Sequence, residues 1–330
     1  MSLLLATLAI GLVFAVLALG IFLSFRVYQM PDITADGSFP LGAAITARLL
    51  ALGWSPVPAT LAGMAGGMMA GAVTGIIHVR FKVNALLSGI LVMTALYSVN
   101  LRVMGSSNLP IGARTLFTPF EESARAWFGP EVTILGRTAP SSDVGLLVAT
   151  LCMATVATLL LCLFLKTELG AAMRATGDNA RMLRALGTST DRMIVLGLAL
   201  SNALVALAGS LFAQMQSFAD AQMGIGVIVL GLASVIIGQT LVGPVRSVSL
   251  AVAGAMMGAV LFRLLVAIAI RMGLDANDLK VVTAIVVLAA IVGPGWVKSL
   301  GPRRRAPAGS AGANATSSAS SNAGGAHASS

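Results

Sequence analysis

The sequence predicts an all-α, polytopic membrane fold, and three observations carry that prediction. Of 330 residues, 57% are hydrophobic and only 10% are charged, against about 25% charged in soluble domains. The apolar residues fall in blocks of about twenty, the length a helix needs to cross a bilayer core. The short alternating strands of a transmembrane barrel are absent.

Eight segments are long enough to span: about 2–25, 56–77, 84–104, 143–165, 193–216, 224–242, 247–270 and 280–297. The first has no basic residue before it and reads as a retained span rather than a cleaved signal. A ninth segment, about 39–53, is shorter and carries Arg48, which suits a re-entrant or partly inserted helix. Residues 1–300 are read as one transmembrane domain, with an outer loop at 105–142 and a cytoplasmic loop at 166–192. Residues 301–330 are read as a cytoplasmic tail; from 306 on they are almost wholly Ala, Gly, Ser, Asn and Pro and are expected to be disordered.

Orientation follows from the basic residues, which concentrate on the cytoplasmic side of membrane proteins. Lys298 and Arg303 to Arg305 place the C-terminal flank in the cytoplasm. Counting back puts Arg246, the 166–192 loop and the Arg80/Lys82 turn on that side, together 12 of the 21 Lys and Arg residues. The same rule accounts for the formal net charge of +9 without any nucleic-acid partner. If 39–53 does not cross, the N-terminus is cytoplasmic and Arg26 faces outward; if it crosses, the N-terminus is outside. The first arrangement is the one expected from its length. Cys152 and Cys162 share one apolar segment and suggest neither a disulfide nor a metal site.

Gly63, Gly67, Gly71 and Gly75 recur every four residues and form a smooth stripe on one helix, and Gly254 and Gly258 repeat the device later. Small residues let helix backbones approach closely in lipid, so the stripe is read as tight packing or as a sliding surface. Thr94, Tyr97 and Ser98 share a helix face, with Asn100 and Arg102 beyond them. With Ser201 and Asn202 they are candidates for a polar pathway; interhelical hydrogen bonding is the alternative. Arg263 lies within a span and is a functional candidate by its charge alone, or snorkels if its helix is shifted in depth. No phosphate-binding G-x-x-x-x-G-K-[ST] loop is present. No metal-ligand cluster, Ser/His/Asp set or paired intramembrane carboxylates can be picked out, so a non-enzymatic protein with no metal or bound cofactor is expected.

The 166–192 loop, KTELGAAMRATGDNARMLRALGTSTDR, is polar, basic and helix-forming. Two short helices are expected. Thr167 caps the first, Glu168 is favourable in its first turn, and Gly177 ends it. Asp178 caps the second, which Gly187 closes. Arg174, Arg181 and Arg184 project from an otherwise apolar ridge that includes Ala175, Met182 and Leu186. Such a hairpin suits either a docking knob or an amphipathic segment lying on anionic lipid.

This loop resembles the cytoplasmic coupling loop of ABC-importer permeases of the branched-chain amino acid and ribose type. Leu169, Gly170, Arg174, Ala175, Gly177, Asn179 and Gly187 match its pattern, while Leu183 stands where an alanine is expected. PDITADGSFPLGAA (31–44) and the stretches 82–105 and 198–241 are similar to a subgroup associated with amino-acid uptake, including aromatic amino acids. The resemblance implies a bacterial inner-membrane permease subunit, paired as a homodimer. It also implies cytoplasmic ATPase subunits that bind ATP and grip residues 168–187, and an extracytoplasmic substrate-binding protein. A stand-alone secondary transporter is the alternative, and a non-transporting scaffold a third class.

Overall fold

The computed structural model describes residues 2–134, 137–243 and 247–272, with isolated positions between 281 and 289. The expected span 280–297, the tail 301–330, Arg246 and the basic C-terminal flank therefore lie wholly or largely outside the described residues.

Ten α-helices dominate the described chain. They are α1 (Ser2–Phe22), α2 (Thr34–Ala51), α3 (Pro56–Phe81), α4 (Ala85–Met104), α5 (Thr118–Phe128), α6 (Ser141–Lys166), α7 (Glu168–Ala185), α8 (Thr190–Gln216), α9 (Val227–Val242) and α10 (Val248–Arg271). A π-helical turn, Leu23–Val27, prolongs α1. Six of these segments are long and apolar enough to cross a membrane, and α9 is a shorter apolar helix. The chain is a polytopic helical membrane protein.

Burial divides the helices into two classes. The most apolar windows of α1 and α8 are 72% buried, whereas those of α4 and α6 are only 28% buried. In a bilayer the exposed Leu87, Leu91, Leu159 and Leu163 face lipid at no cost, so α1 and α8 lie at the centre and α4 and α6 on the periphery. Helix α3 lies along α8 through its glycine stripe. A methyl group at Gly75 would sit 2.8 Å from Val195 Cα, and one at Gly63 would sit 2.5 Å from Ser210 Oγ. At Gly67 and Gly71 it would collide with Ala206 and with the carbonyl oxygen of Leu198. Gly258 approaches the Ser234 carbonyl in the same way, joining α10 to α9.

These contacts give the directions of the helices. Gly75 meets Val195 and Gly63 meets Ser210, so α3 is antiparallel to α8. Tyr28 donates from its hydroxyl to the Met193 carbonyl (2.7 Å), and Gly20 packs on Ser201, so α1 is antiparallel to α8 as well. Helices α1 and α3 thus run the same way, and α2 carries the chain back between them. The expected partial helix at 39–53 is corrected accordingly. The helix begins at Thr34 and has 18 residues, of which 13 are buried. The N-terminus lies at the end opposite α7, and Arg26, one residue before the Val27 that touches α7, lies at the α7 end. The physical reason is that α2 is surrounded by protein instead of lipid, so it tolerates Asp36, Pro40 and Arg48 and lacks the hydropathy of a lipid-facing span.

The 105–142 segment, read from sequence only as a loop, is structured. Strand β1 (Asn108–Pro110) pairs antiparallel with β4 (Phe218–Asp220), and β2 (Glu131–Ile134) with β3 (Arg137–Pro140). Between them α5 packs on α6, where Gly145 touches the Phe120 carbonyl, and leaves Trp127 and Phe128 exposed.

Candidate functional site

Helix α7 connects α6 to α8 outside the membrane-spanning bundle. The Thr167 hydroxyl caps it by accepting the Gly170 N–H (3.2 Å). Two glycines seat it. Gly170 lies against the backbone of Phe164 and Leu165, and Gly177 lies against the Val27 carbonyl at the end of the α1 extension. Seven residues apart, they occupy one helix face, and Met173 and Thr176 are buried on the same side. Any side chain at Gly177 would meet backbone, which no rotamer change relieves.

The expected break at Gly177 is displaced. The helix runs through Gly177 and Asp178 and kinks at Asn179, whose φ is −155° and ψ 84°. Asn179, not Asp178, caps the second part: its Oδ1 accepts the Met182 N–H (3.0 Å). Both residues are good cap formers; the seating of Gly177 on Val27 keeps the preceding turn helical. Gly187 follows the helix at a φ of +84°, the left-handed conformation a closing glycine supplies. Arg174 is half-buried and bonds the Gly170 carbonyl through Nε (3.4 Å), and Arg184 donates to Thr190 (2.6 Å) and Asp191 (3.3 Å). These contacts leave Glu168, Leu169, Arg181, Met182 and Leu186 exposed, and Ala175 half-buried. The outer surface of α7 is thus apolar and basic together.

Within the bundle, the pathway candidates separate into two groups. Ser201 and Asn202 are buried and fully engaged. Ser201 donates to the Gly20 carbonyl (2.8 Å). Asn202 donates to Asp32 (2.6 Å) and to the Leu198 carbonyl (2.9 Å), and its Oδ1 accepts from Ser38 (2.8 Å). Asp32 also accepts the Thr34 N–H (2.9 Å), and the Thr34 hydroxyl meets that of Thr74 (2.8 Å). This network fastens α8 to the start of α2 and, through Thr34, α2 to α3.

The other group surrounds a cavity of about 280 Å³ between α2, α4 and the connection entering α9. Its polar lining is Asp36, Thr94, Tyr97 and Asn100; Pro40, Met93 and Ile225 supply apolar wall. Ser98, the remaining candidate on α4, is exposed and does not line the cavity. Asp36 anchors α9, its two oxygens accepting the N–H groups of Ile228 (2.8 Å) and Gly226 (3.2 Å) at that helix's N-terminus. Asn100 is fully buried and donates to the Gly37 carbonyl (3.3 Å). Arg263 sits over the Phe14 ring, 5.8 Å from its centroid.

The sequence shows no paired intramembrane carboxylates, yet the fold brings two acidic side chains, Asp32 and Asp36, into the bundle against α8 and α9. The run Asp32, Thr34, Asp36 is a legible helix start, but its partners are 170 and 190 or more residues away. No local signal announces them.

The family described as branched-chain amino acid transport system, permease component, matches residues 3–292. The tyrosine transport system permease protein of Clostridioides difficile (strain R20291) is 40% identical over 280 residues, covering 84% of this chain and 87% of the relative. An uncharacterised protein of Rickettsia prowazekii (strain Madrid E) is 30% identical over 295 residues, covering 88% and 97%. The autoinducer 2 import system permease protein of Salmonella typhimurium is 26% identical over 212 residues, covering 63% and 54%. No solved structure matches the chain significantly.

Proposed function

Because the chain belongs to the branched-chain amino acid transport system permease family, we propose that it is the membrane-spanning subunit of a bacterial inner-membrane ABC importer for a small solute, an aromatic amino acid in the first instance. Two copies form the pathway. ATPase subunits on the cytoplasmic side grip α7, and a binding protein on the other side delivers the solute. The observation that carries this reading is α7 itself. It is held to the bundle by close backbone contact at Gly170 and Gly177, yet presents Leu169, Met182 and Leu186 outward beside Arg181. A rigidly seated helix with an unpartnered apolar and basic surface is suited to passing motion from a docked subunit to α1, α6 and α8. The 40% identity to a tyrosine transport system permease supports the choice of solute.

Co-purification with the transporter's ATPase subunit tests the docking. Charge placed in the exposed ridge, Met182→Glu with Leu186→Glu, is expected to abolish recovery of the ATPase while the permease inserts normally. Undiminished recovery would remove α7 from the interface.

A second reading, a stand-alone gradient-driven transporter, draws support from the buried Asp32 and the half-buried Asp36, since a proton-coupled mechanism uses carboxylates within the bundle. Against it, both carboxylates are engaged by structural donors: Thr34 and Asn202 for Asp32, and the start of α9 for Asp36.

A further inference from the structure

We infer that the cavity between α2, α4 and the entry to α9 holds the primary ammonium group of the transported solute, between the Asp36 carboxylate and Asn100 Oδ1. The inference rests on the permease reading and narrows it to a chemical class. Asn100 Oδ1 is the one buried side-chain polar atom among the described residues without a hydrogen-bond partner. A buried acceptor left alone is costly, and Asn100 lines the cavity. Its amide nitrogen is committed to the Gly37 carbonyl, which leaves the oxygen as the free end. Asp36 faces the same space and spends two of its roughly four acceptor positions on α9. No Lys or Arg lines the cavity. The space therefore offers acceptors and a negative charge, and a ligand must supply donors and a positive charge. A primary ammonium meets both requirements with three donors. Met93, Pro40, Ile225 and the Tyr97 ring give the remainder of such a ligand an apolar and aromatic wall. The volume of about 280 Å³ lies near the lower end of ligand pockets, roughly 300–1,000 Å³.

The test uses the full chain in lipid nanodiscs, with Cys152→Ala, Cys162→Ala and Thr94→Cys, the last placing one thiol at the cavity wall. Its alkylation rate is measured with tyrosine, tyramine or 3-(4-hydroxyphenyl)propionate, which share a phenol ring and carry amine and carboxylate, amine alone and carboxylate alone. Tyrosine and tyramine are expected to slow labelling and the deaminated acid to leave it unchanged. Adding Asn100→Leu is expected to raise the half-protecting tyramine concentration about ten-fold, the worth of one hydrogen bond to a charged group. Equal protection by the deaminated acid would overturn ammonium recognition. Protection by none of the three would overturn the cavity as a solute site. Either result leaves the permease reading standing, because that reading is decided separately by ATP-dependent uptake. The three-compound comparison needs no change at Asp36 or Asn100, so a variant that fails to fold does not remove the test.

Discussion

Gly177→Val is expected to reduce uptake at least ten-fold, about 1.4 kcal/mol of lost coupling, while the protein still inserts and binds its ATPase. A Cβ at this position would lie inside the Val27 carbonyl, and the obstacle is backbone on both sides. The only relief is to lift α7 away from the end of α1. The exposed ridge of Leu169, Met182 and Leu186 would survive that displacement, so docking persists while the transfer of motion fails. The measurement is uptake set against ATPase turnover in the same proteoliposomes. Hydrolysis that continues without uptake is the expected pattern, and normal uptake would show that the Gly177 contact carries no motion.

Asn202→Leu is expected to destabilise the fold by about 2–3 kcal/mol, read as a lowered unfolding midpoint in detergent. Removing one partner of a buried polar pair leaves the other desolvated and unpaired, which costs more than the net value of the bond, and more again when that partner is charged. Asp32, 3% exposed, would lose the amide donor at 2.6 Å, and Ser38 would lose its acceptor. Ser201→Ala removes a single bond to the Gly20 carbonyl and is expected to cost only about 0.6 kcal/mol, the average for interhelical hydrogen bonds in membranes. Were Asn202 instead a pathway residue, its substitution would impair uptake and leave the unfolding midpoint in place.

Helices α3, α4, α6 and α10 are legible in the sequence because each turns a broad face to lipid, so its apolar content matches its length, and the central α1 and α8 are legible because they are long and apolar throughout. Helix α2 is not, because enclosure by other helices removes the need for hydropathy, and its mispairing as a partial helix also reversed the expected side of the N-terminus. The stripe from Gly63 to Gly75 can be read as a close-approach surface, but that the surface meets α8 depends on a helix more than a hundred residues later. In α7 the residue types that match the family pattern are visible locally. What Gly177 does is not, since it touches Val27, which belongs to a different part of the chain. The same holds for the cavity: Thr94, Tyr97 and Asn100 share a helix at readable spacing, whereas Asp36 joins them only through the packing of α2 beside α4.

The most direct measurement of the proposed function is tyrosine uptake into proteoliposomes holding this chain, first alone under an imposed proton or sodium gradient, then with its ATPase and binding protein and ATP but no gradient. Uptake is expected only in the second preparation. Uptake by the chain alone, driven by the gradient, would contradict an ATPase-coupled permease and place Asp32 and Asp36 at the centre of a different mechanism.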